Sequence, residues 1–239
     1  MKHTENFKQA FKLIENTSQF KNIDESISVI FYTLYGRSKK LFYAMDVLRR
    51  VNVPEISHLE ILPLLRVYIE SYFHLCYVVH EEDKEKVKEG YKYLAYYSQY
   101  STADKMKESQ TLGDLGKSFV EEYGEKKNIP KKYKFLNSPK SLANKIGKIE
   151  LWEKHYNTLN SSLHFNPGVY HNYGDYKDGK FVFDEKNEQF YLLEEAVYRT
   201  LEQLTWLIIG EIVLFLDNNE LEGEIEEMIN GYCLENTEV

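Results

Sequence analysis

The stretch from Ser57 to His80 restricts the possible folds more than any other part of the chain. Its leucine, isoleucine, valine and phenylalanine side chains are spread around every face of a helix. A helix that is hydrophobic all round has no face to offer to water, so it lies at the centre of a protein. We therefore predict a central helix that opens at the capping box Ser57-x-x-Glu60, with Pro63 either kinking it or marking its true first turn.

Three ionisable residues interrupt this apolar helix. Arg66, Glu70 and His74 follow one another at intervals of four, which places them within an arc of about 80° on one face. A charge in apolar surroundings is costly unless it is paired or used. This face is therefore a candidate for either a buried ionic network or a functional site.

The overall composition favours one helical domain. The chain has 239 residues, of which 43% are hydrophobic, so it can bury a sizeable core. Its 12 glycines and 5 prolines are too few for the turn-rich pattern of an all-β protein. We predict an all-α fold, a single helical bundle of about seven helices that spans residues 1–239.

The apolar periodicity and the capping residues divide this bundle into segments. An irregular Lys-rich insert occupies residues 109–150, and a loop or small β-hairpin around Asp178-Gly179 occupies residues 166–187. Asp24 and Ser141 are predicted helix caps. Helices are predicted at about 4–21, 24–50, 57–80, 84–108, 112–127, 141–165, 188–216 and 221–229.

Several functional classes lack their signatures in this sequence. The chain has no Gly-rich phosphate loop, no HExxH and no GxSxG, and Cys76 and Cys233 show no metal-ligand spacing. We predict no metal, no cofactor and no disulfide, which fits a reducing cytoplasm. The longest strongly apolar run, Leu204–Leu216, contains Glu211 and is shorter than the ~20 residues of a membrane-spanning helix. With no signal-peptide core at the N-terminus, we predict a cytoplasmic protein without membrane association.

Charge is distributed unevenly along the chain. The net charge of -8 argues against a general nucleic-acid coat protein. Residues 126–148 nevertheless contain eight lysines and no Asp or Glu, whereas residues 184–239 carry a net charge of -13. Either these two surfaces face each other, within a chain or across a dimer, or the basic one meets a phosphate backbone. In the second case the candidate nucleic-acid contacts are Lys131, Lys132 and Lys134.

A second polar motif lies at residues 156–164, in the sequence YNTLNSSLH. Tyr156, Asn160 and His164 are again four apart and share one face of the predicted helix. His164 ends that helix just before Asn166-Pro167-Gly168, and a polar side chain beside a loop can reach a cleft. This motif therefore joins the Arg66 face as a candidate site.

The pairing of LLRVYIE with YNTLNSSLHFNP resembles a family of uncharacterised bacterial all-helical proteins. Their pattern is a Leu-rich helix with Arg-x-x-x-Glu, followed about ninety residues later by Tyr-x-x-Leu-Ser-x-x-x-His. The resemblance reaches from about Leu41 to Leu216, and this chain has Asn160 where the pattern has Ser, with Ser161 one step on. The family's polar positions correspond here to Arg66, Glu70, Tyr156 and His164.

The architecture and the Arg-plus-His signature are also similar to the HEPN superfamily (higher eukaryotes and prokaryotes nucleotide-binding). Many of its members are ribonucleases in toxin–antitoxin, abortive-infection and CRISPR systems, with an active site of Arg, four to six residues and then His, completed across a dimer. No Arg here has a His at that spacing, since Arg66 precedes His74 by eight residues and Arg50 precedes His58 by eight. The resemblance implies an effector or toxin of antiviral defence that acts on RNA or a nucleotide. It also implies a homodimer and a neutralising or sensing partner protein.

Two hypotheses for these residues remain open from sequence. In the first, a metal-independent, ribonuclease-like enzyme, Arg66 binds a phosphate and His164 transfers a proton, with Glu70 and Tyr156 in support. Further candidate ligand-binding residues are Asn160, Ser161 and His74. In the second, a non-catalytic module binds a small ligand or a protein partner, and Arg66–Glu70 is a buried ion pair that fixes helix register.

Overall fold

Helices account for nearly all of the chain that the structure describes. The computed structural model describes residues 2–51, 58–124, 128–157, 159, 174–183 and 188–237. Within them the fold is all-α apart from one two-stranded hairpin, as the composition predicts. The helices are Lys2–Asn16 (α1), Ser18–Lys21 (α2), Glu25–Arg50 (α3), Leu62–His80 (α4), Lys84–Met106 (α5), Gly113–Tyr123 (α6), Pro139–Lys145 (α7), Ile149–Leu151 (α8), Glu188–Leu216 (α9) and Asn219–Thr237 (α10).

Helix α4 is the central helix that its apolar sequence predicts. Twelve of its residues are buried, and it packs against α3 and α9. The Tyr68 hydroxyl donates to Thr205 Oγ1 at 3.1 Å, and the Tyr72 hydroxyl donates to Glu211 Oε1 at 3.1 Å. These two bonds join polar atoms of α4 to α9 inside the core, where unpaired hydroxyls would be costly.

The beginning of α4 differs from the prediction. The helix starts at Leu62 with Pro63 in its first turn, and a separate 3₁₀ turn, His58–Glu60, precedes it. Pro63 therefore marks the first turn, where its missing N–H has no helical partner to lose. Ser57, the predicted cap, lies outside the described residues.

Helix α3 follows the sequence pattern closely. Asp24 caps it by accepting a hydrogen bond from Ser26 N at 2.7 Å. The helix then continues without interruption through Gly36 to Arg50. Arg49, in its last turn, forms an ion pair with Glu202 of α9 at 2.5 Å.

The Lys-rich insert is more regular than predicted. After α6, a 3₁₀ helix at Lys131–Asn137 packs against α5, and α7 follows it directly. Ser138, not Ser141, caps α7, because its Oγ accepts a hydrogen bond from Ser141 N at 3.3 Å and Pro139 occupies the first turn. Helix α8 then runs into a π-helical turn at Trp152–Tyr156.

The predicted hairpin is present. Strands Gly174–Lys177 (β1) and Lys180–Phe183 (β2) pair antiparallel, with Lys177 opposite Lys180. Asp178 and Gly179 both have positive φ, 51° and 75°, as a two-residue type I′ turn requires.

One contiguous core cluster connects the first helix to the last. It includes Phe7 of α1, Phe31 of α3, Val87 of α5, Ile209 of α9 and Ile225 of α10, all at most 2% exposed. No helix in the described part of the chain is both long and apolar enough to cross a membrane.

Candidate functional site

Arg66, Glu70 and Tyr156, three of the four residues predicted to carry chemistry, lie together. Arg66 and Glu70 are one turn apart on α4, and Tyr156 ends the π-helical turn. The Arg66 Cζ lies 5.0 Å from the centre of the Tyr156 ring, a cation–π distance. Ninety residues of sequence thus separate groups that the fold brings into contact, and we call these three residues the Arg66 cluster.

Neighbouring rings hold Tyr156 in place. Its ring lies 6.5 Å from that of Phe73 on α4 and 6.4 Å from that of Trp152, measured between centroids. The π-helical turn is a local departure from α-helical geometry, and such turns are frequent at functional sites. Tyr156 is only 4% exposed, so packing fixes its ring against the guanidinium.

The electrostatics of Tyr156 reflect both charged neighbours. Burial raises the pKa of its hydroxyl above the ordinary value, and the negative charge of Glu70 raises it further. The positive charge of Arg66 and a hydrogen bond with Arg66 act in the opposite direction without cancelling the rise. Tyr156 is therefore a neutral hydrogen-bonding partner at physiological pH rather than a base.

Arg66 keeps unused hydrogen-bonding capacity. Its side chain is half-buried, and no described residue accepts a hydrogen bond from its buried Nε–H. A guanidinium has five N–H donors in a rigid fork that matches a carboxylate or a phosphate. The cluster thus combines a positioned cation with a carboxylate and an aromatic ring, which suits binding of an anionic group.

His74, the third member of the polar stripe on α4, is separate from the Arg66 cluster. It is 8% exposed, and its Nδ1 lies 2.8 Å from the Tyr91 hydroxyl of α5. No described side-chain contact joins it to Arg66 or Glu70. Here the structure shows a hydrogen-bonded core histidine.

His164, Asn160 and Ser161 lie outside the described residues. Their predicted roles therefore rest on the spacing in the sequence. Tyr156 alone represents the second motif in the described site.

The three candidate lysines of the insert have different surroundings. Lys132 donates to Glu89 Oε2 at 2.9 Å and lies over the Tyr133 ring, whereas Lys131 and Lys134 line a cleft beside Tyr97. Lys132 is thus tied to α5, and the other two remain available to a ligand.

The structure also contains a second polar cluster, centred on Glu211, which the sequence patterns do not predict. Glu211 of α9 is 9% exposed and accepts a hydrogen bond from Tyr72, and its carboxylate lies 2.5 Å from His80 Nε2 and 3.5 Å from Lys148 Nζ. Burial alone would raise the pKa of Glu211, but His80, Lys148 and Tyr72 together lower it. Its only sequence signal was a charge inside the apolar run Leu204–Leu216.

Cys76, one turn from Tyr72, borders this second cluster. It is fully buried, and burial together with the charge of Glu211 raises its pKa. The thiol is therefore a small core group rather than a nucleophile. The described residues contain no group of three or more His, Cys, Asp or Glu side chains placed to hold a metal ion.

Comparison with known protein families identifies a matching family. A model of DUF5677, a family of unknown function, matches residues 28–181, which is more than half of the chain. The chain belongs to the DUF5677 family. The resemblance to an uncharacterised family is thereby confirmed, and the matched segment contains both polar motifs, while Glu211 lies beyond it. No curated protein and no solved structure matches this DUF5677 chain.

Proposed function

We propose that this DUF5677 chain is a HEPN-like bacterial effector that acts on RNA or a nucleotide, with Arg66 as its phosphate-binding residue. The HEPN likeness rests on the sequence motifs and the helical architecture alone. The observation that carries the proposal is the half-buried guanidinium of Arg66, which lies against the Tyr156 ring while its Nε–H lacks an acceptor among the described residues. A buried donor without a partner costs about 1–3 kcal/mol, and a phosphate oxygen would remove that cost.

The proposed chemistry on RNA is transfer within the sugar–phosphate backbone. His164 accepts the proton of a ribose 2′-hydroxyl, and the 2′ oxygen forms a bond to the adjacent phosphorus. The bond from phosphorus to the 5′ oxygen breaks, and solvent protonates that oxygen, which leaves a 2′,3′-cyclic phosphate. Arg66 neutralises charge on the phosphate oxygens, and Glu70 and Tyr156 keep the guanidinium in position.

A second candidate function is a non-catalytic helical module. The observation in its favour is the deep burial of Tyr156, at 4% exposed, between Arg66 and the ring of Phe73. In that case the Arg66 cluster fixes the position of the π-helical turn on α4, and binding occurs elsewhere on the surface.

Overexpression in a bacterial host distinguishes the two candidates. The wild type, Arg66→Ala and His164→Ala are expressed at matched levels, and growth, total RNA integrity and thermal stability of the purified proteins are measured. Arg199→Ala is the matched control, because Arg199 is an exposed arginine on α9 that pairs only with Glu195 in the described structure.

An effector predicts that the wild type and Arg199→Ala slow growth and produce RNA fragments ending in 2′,3′-cyclic phosphate. Arg66→Ala and His164→Ala should restore growth while remaining folded. A structural network predicts no growth defect and a loss of roughly 3–5 kcal/mol of unfolding free energy in Arg66→Ala. That second result would remove the catalytic proposal.

A further inference from the structure

A cleft of about 760 Å³ lies between α5 and the Lys-rich insert, and none of its lining residues belongs to the Arg66 cluster. The residues that characterise it are Tyr97 of α5, Lys131, Lys134 and Asn137 of the 3₁₀ helix, and Asn128 just before that helix. Pockets that hold small organic ligands typically measure about 300–1,000 Å³. The cleft is therefore large enough for one nucleotide.

Two lysines give the cleft a positive wall. Lys131 and Lys134 are three residues apart on a 3₁₀ helix, where residues i and i+3 lie one above the other on the same face. No described carboxylate lines the cleft, and neither lysine forms an ion pair within the described residues. Lys132, between them, projects instead to Glu89. Two neighbouring ammonium groups without a counter-charge favour adjacent phosphates.

The other lining groups suit a nucleobase. Tyr97 offers an aromatic ring, on which any base can stack. The amides of Asn128 and Asn137 each carry both donors and an acceptor, which is the complement that the edge of a base needs. The cleft thus combines phosphate-binding, stacking and edge-binding groups within one cavity.

The wall that carries the lysines is rigidly attached to α5. Tyr133 and Leu136 are 1% and 2% exposed, and they pack where Gly90 of α5 has no side chain. The Tyr133 hydroxyl also donates to Glu89. A ligand at Lys131 and Lys134 would therefore meet a preformed surface, which lowers the entropy cost of binding.

We propose that this cleft binds one nucleotide unit, with its phosphates on Lys131 and Lys134 and its base against Tyr97. A free nucleoside diphosphate and one unit of a single-stranded RNA offer the same chemistry. The site is independent of the function proposed for Arg66, since the two share no residue.

Calorimetric titration of the full chain tests the proposal with three probes: ADP, inorganic pyrophosphate and a short single-stranded RNA. We expect Lys131→Ala combined with Lys134→Ala to weaken binding of all three by about tenfold or more. Lys132→Ala is the matched control and should change affinity by less than about twofold. Tyr97→Leu removes the aromatic ring, so it should weaken the binding of ADP and RNA but not of pyrophosphate. Tyr97→Phe keeps the ring, so it should retain the binding of ADP and of RNA.

The source of the nucleotide follows from competition. If ADP binds and the RNA does not displace it, the ligand is a free nucleotide; if the RNA binds and ADP displaces it only weakly, the ligand is a strand. Both results support the cleft. Absence of binding by all three probes, or equal weakening by Lys132→Ala and the double variant, would overturn it.

Repeating the titrations with Arg66→Ala separates this site from the Arg66 cluster. Binding at the cleft should persist in Arg66→Ala and disappear in the lysine double variant. Because the lysines are exposed, the double variant is expected to fold, which circular dichroism checks. If Arg66→Ala fails to restore growth, the proposed function of Arg66 is wrong, but the conclusion about nucleotide binding at the cleft is unaffected.

Discussion

Burial keeps His74 neutral at physiological pH. Removal from water lowers its pKa to about 4, and the positive charge of Arg37 acts in the same direction. The Tyr91 hydroxyl of α5, the polar group facing its Nδ1, is itself buried and neutral, because burial raises its pKa. Folding is therefore linked to the protonation of this buried imidazole.

The free energy of unfolding should depend on pH through His74. In the unfolded chain a histidine has a pKa of about 6.5, so between pH 6.5 and 4 the unfolded state binds more protons than the folded one. This contribution is complete above pH 6.5 and falls by about 3 kcal/mol as the pH drops to 4. In His74→Gln it is absent, so the gap in unfolding free energy between the two proteins should shift by that amount. Urea unfolding at pH 7, 5.5 and 4 measures the gap, and a constant gap would contradict the assignment.

A second prediction concerns the contacts of the Glu211 carboxylate. Glu211→Gln removes the charge that His80 and Lys148 share and weakens the hydrogen bond from Tyr72, so unfolding free energy should fall by about 1–3 kcal/mol. Glu224→Gln, an exposed glutamate on α10, is the control and should change stability by less than about 0.5 kcal/mol. Equal losses in both variants, measured by chemical unfolding at pH 7, would show that the Glu211 contacts contribute nothing net.

Among the helices, two glycines have opposite surroundings. A Cβ on Gly36 of α3 would meet no atom within 4 Å, whereas a Cβ on Gly90 of α5 would lie 2.9 Å from Leu136 Cδ1 and 3.0 Å from Tyr133 Cδ1. Gly36 thus lowers helix propensity without serving any packing contact. The absence of a side chain at Gly90 makes the space into which the 3₁₀ helix packs.

Substitution should therefore act in opposite directions at these two glycines. Gly36→Ala should raise unfolding free energy by about 0.5–1 kcal/mol, because alanine restricts the unfolded chain and favours the helix. Gly90→Val should lower it by about 1–3 kcal/mol through overpacking against Tyr133 and Leu136. Thermal unfolding of both variants gives the signs of the two changes, and a stabilising effect of Gly90→Val would refute the close packing of Tyr133 and Leu136 against Gly90.

Sequence periodicity predicted most elements because each depends on local patterns. The apolar stripe and the capping residue Asp24 predict α3, and Asp178-Gly179 predicts the hairpin turn. The errors lie at element ends, where two neighbouring residues compete. Ser138 caps α7 instead of Ser141 because Pro139 is already suited to the first helical turn. Pro63 likewise occupies the first turn of α4, so that helix begins later than predicted.

The two polar clusters differ in whether the sequence predicts them. The Arg66 cluster was predictable because Arg66 and Glu70 lie four residues apart on one helix and, together with Tyr156, match a family pattern. The Glu211 cluster was not, since it exists only where α9 crosses α4 and brings Glu211 to Tyr72 and His80, more than a hundred residues away in sequence. No local pattern encodes such a crossing.

The contiguous core predicts a single unfolding transition. Trp206 is 7% exposed in this core and Trp152 stacks on Tyr156, so the two tryptophans report on different parts of the bundle. Fluorescence of the wild type, fluorescence of Trp152→Phe and far-UV circular dichroism should give coincident melting curves. Separate midpoints would indicate that the Arg66 region unfolds independently.

The uneven charge of the chain is partly balanced inside it. Lys148, at the end of the basic stretch 126–148, lies 3.5 Å from Glu211 of the acidic stretch 184–239. This contact fits the interpretation in which the two surfaces face each other within one chain. Lys131 and Lys134 lie outside that arrangement, since they line the cleft.

The position of α4 between α3 and α9 has a consequence for biosynthesis. On the ribosome α4 emerges just after α3, but α9 is complete only roughly 130 residues later, which takes on the order of ten seconds at about 5–20 residues per second. During that interval the face of α4 destined for α9 has no partner, and the nascent chain presents an apolar surface that chaperones bind. Premature termination before Leu216 should accordingly yield fragments that proteases remove, so that only chains containing both helices accumulate.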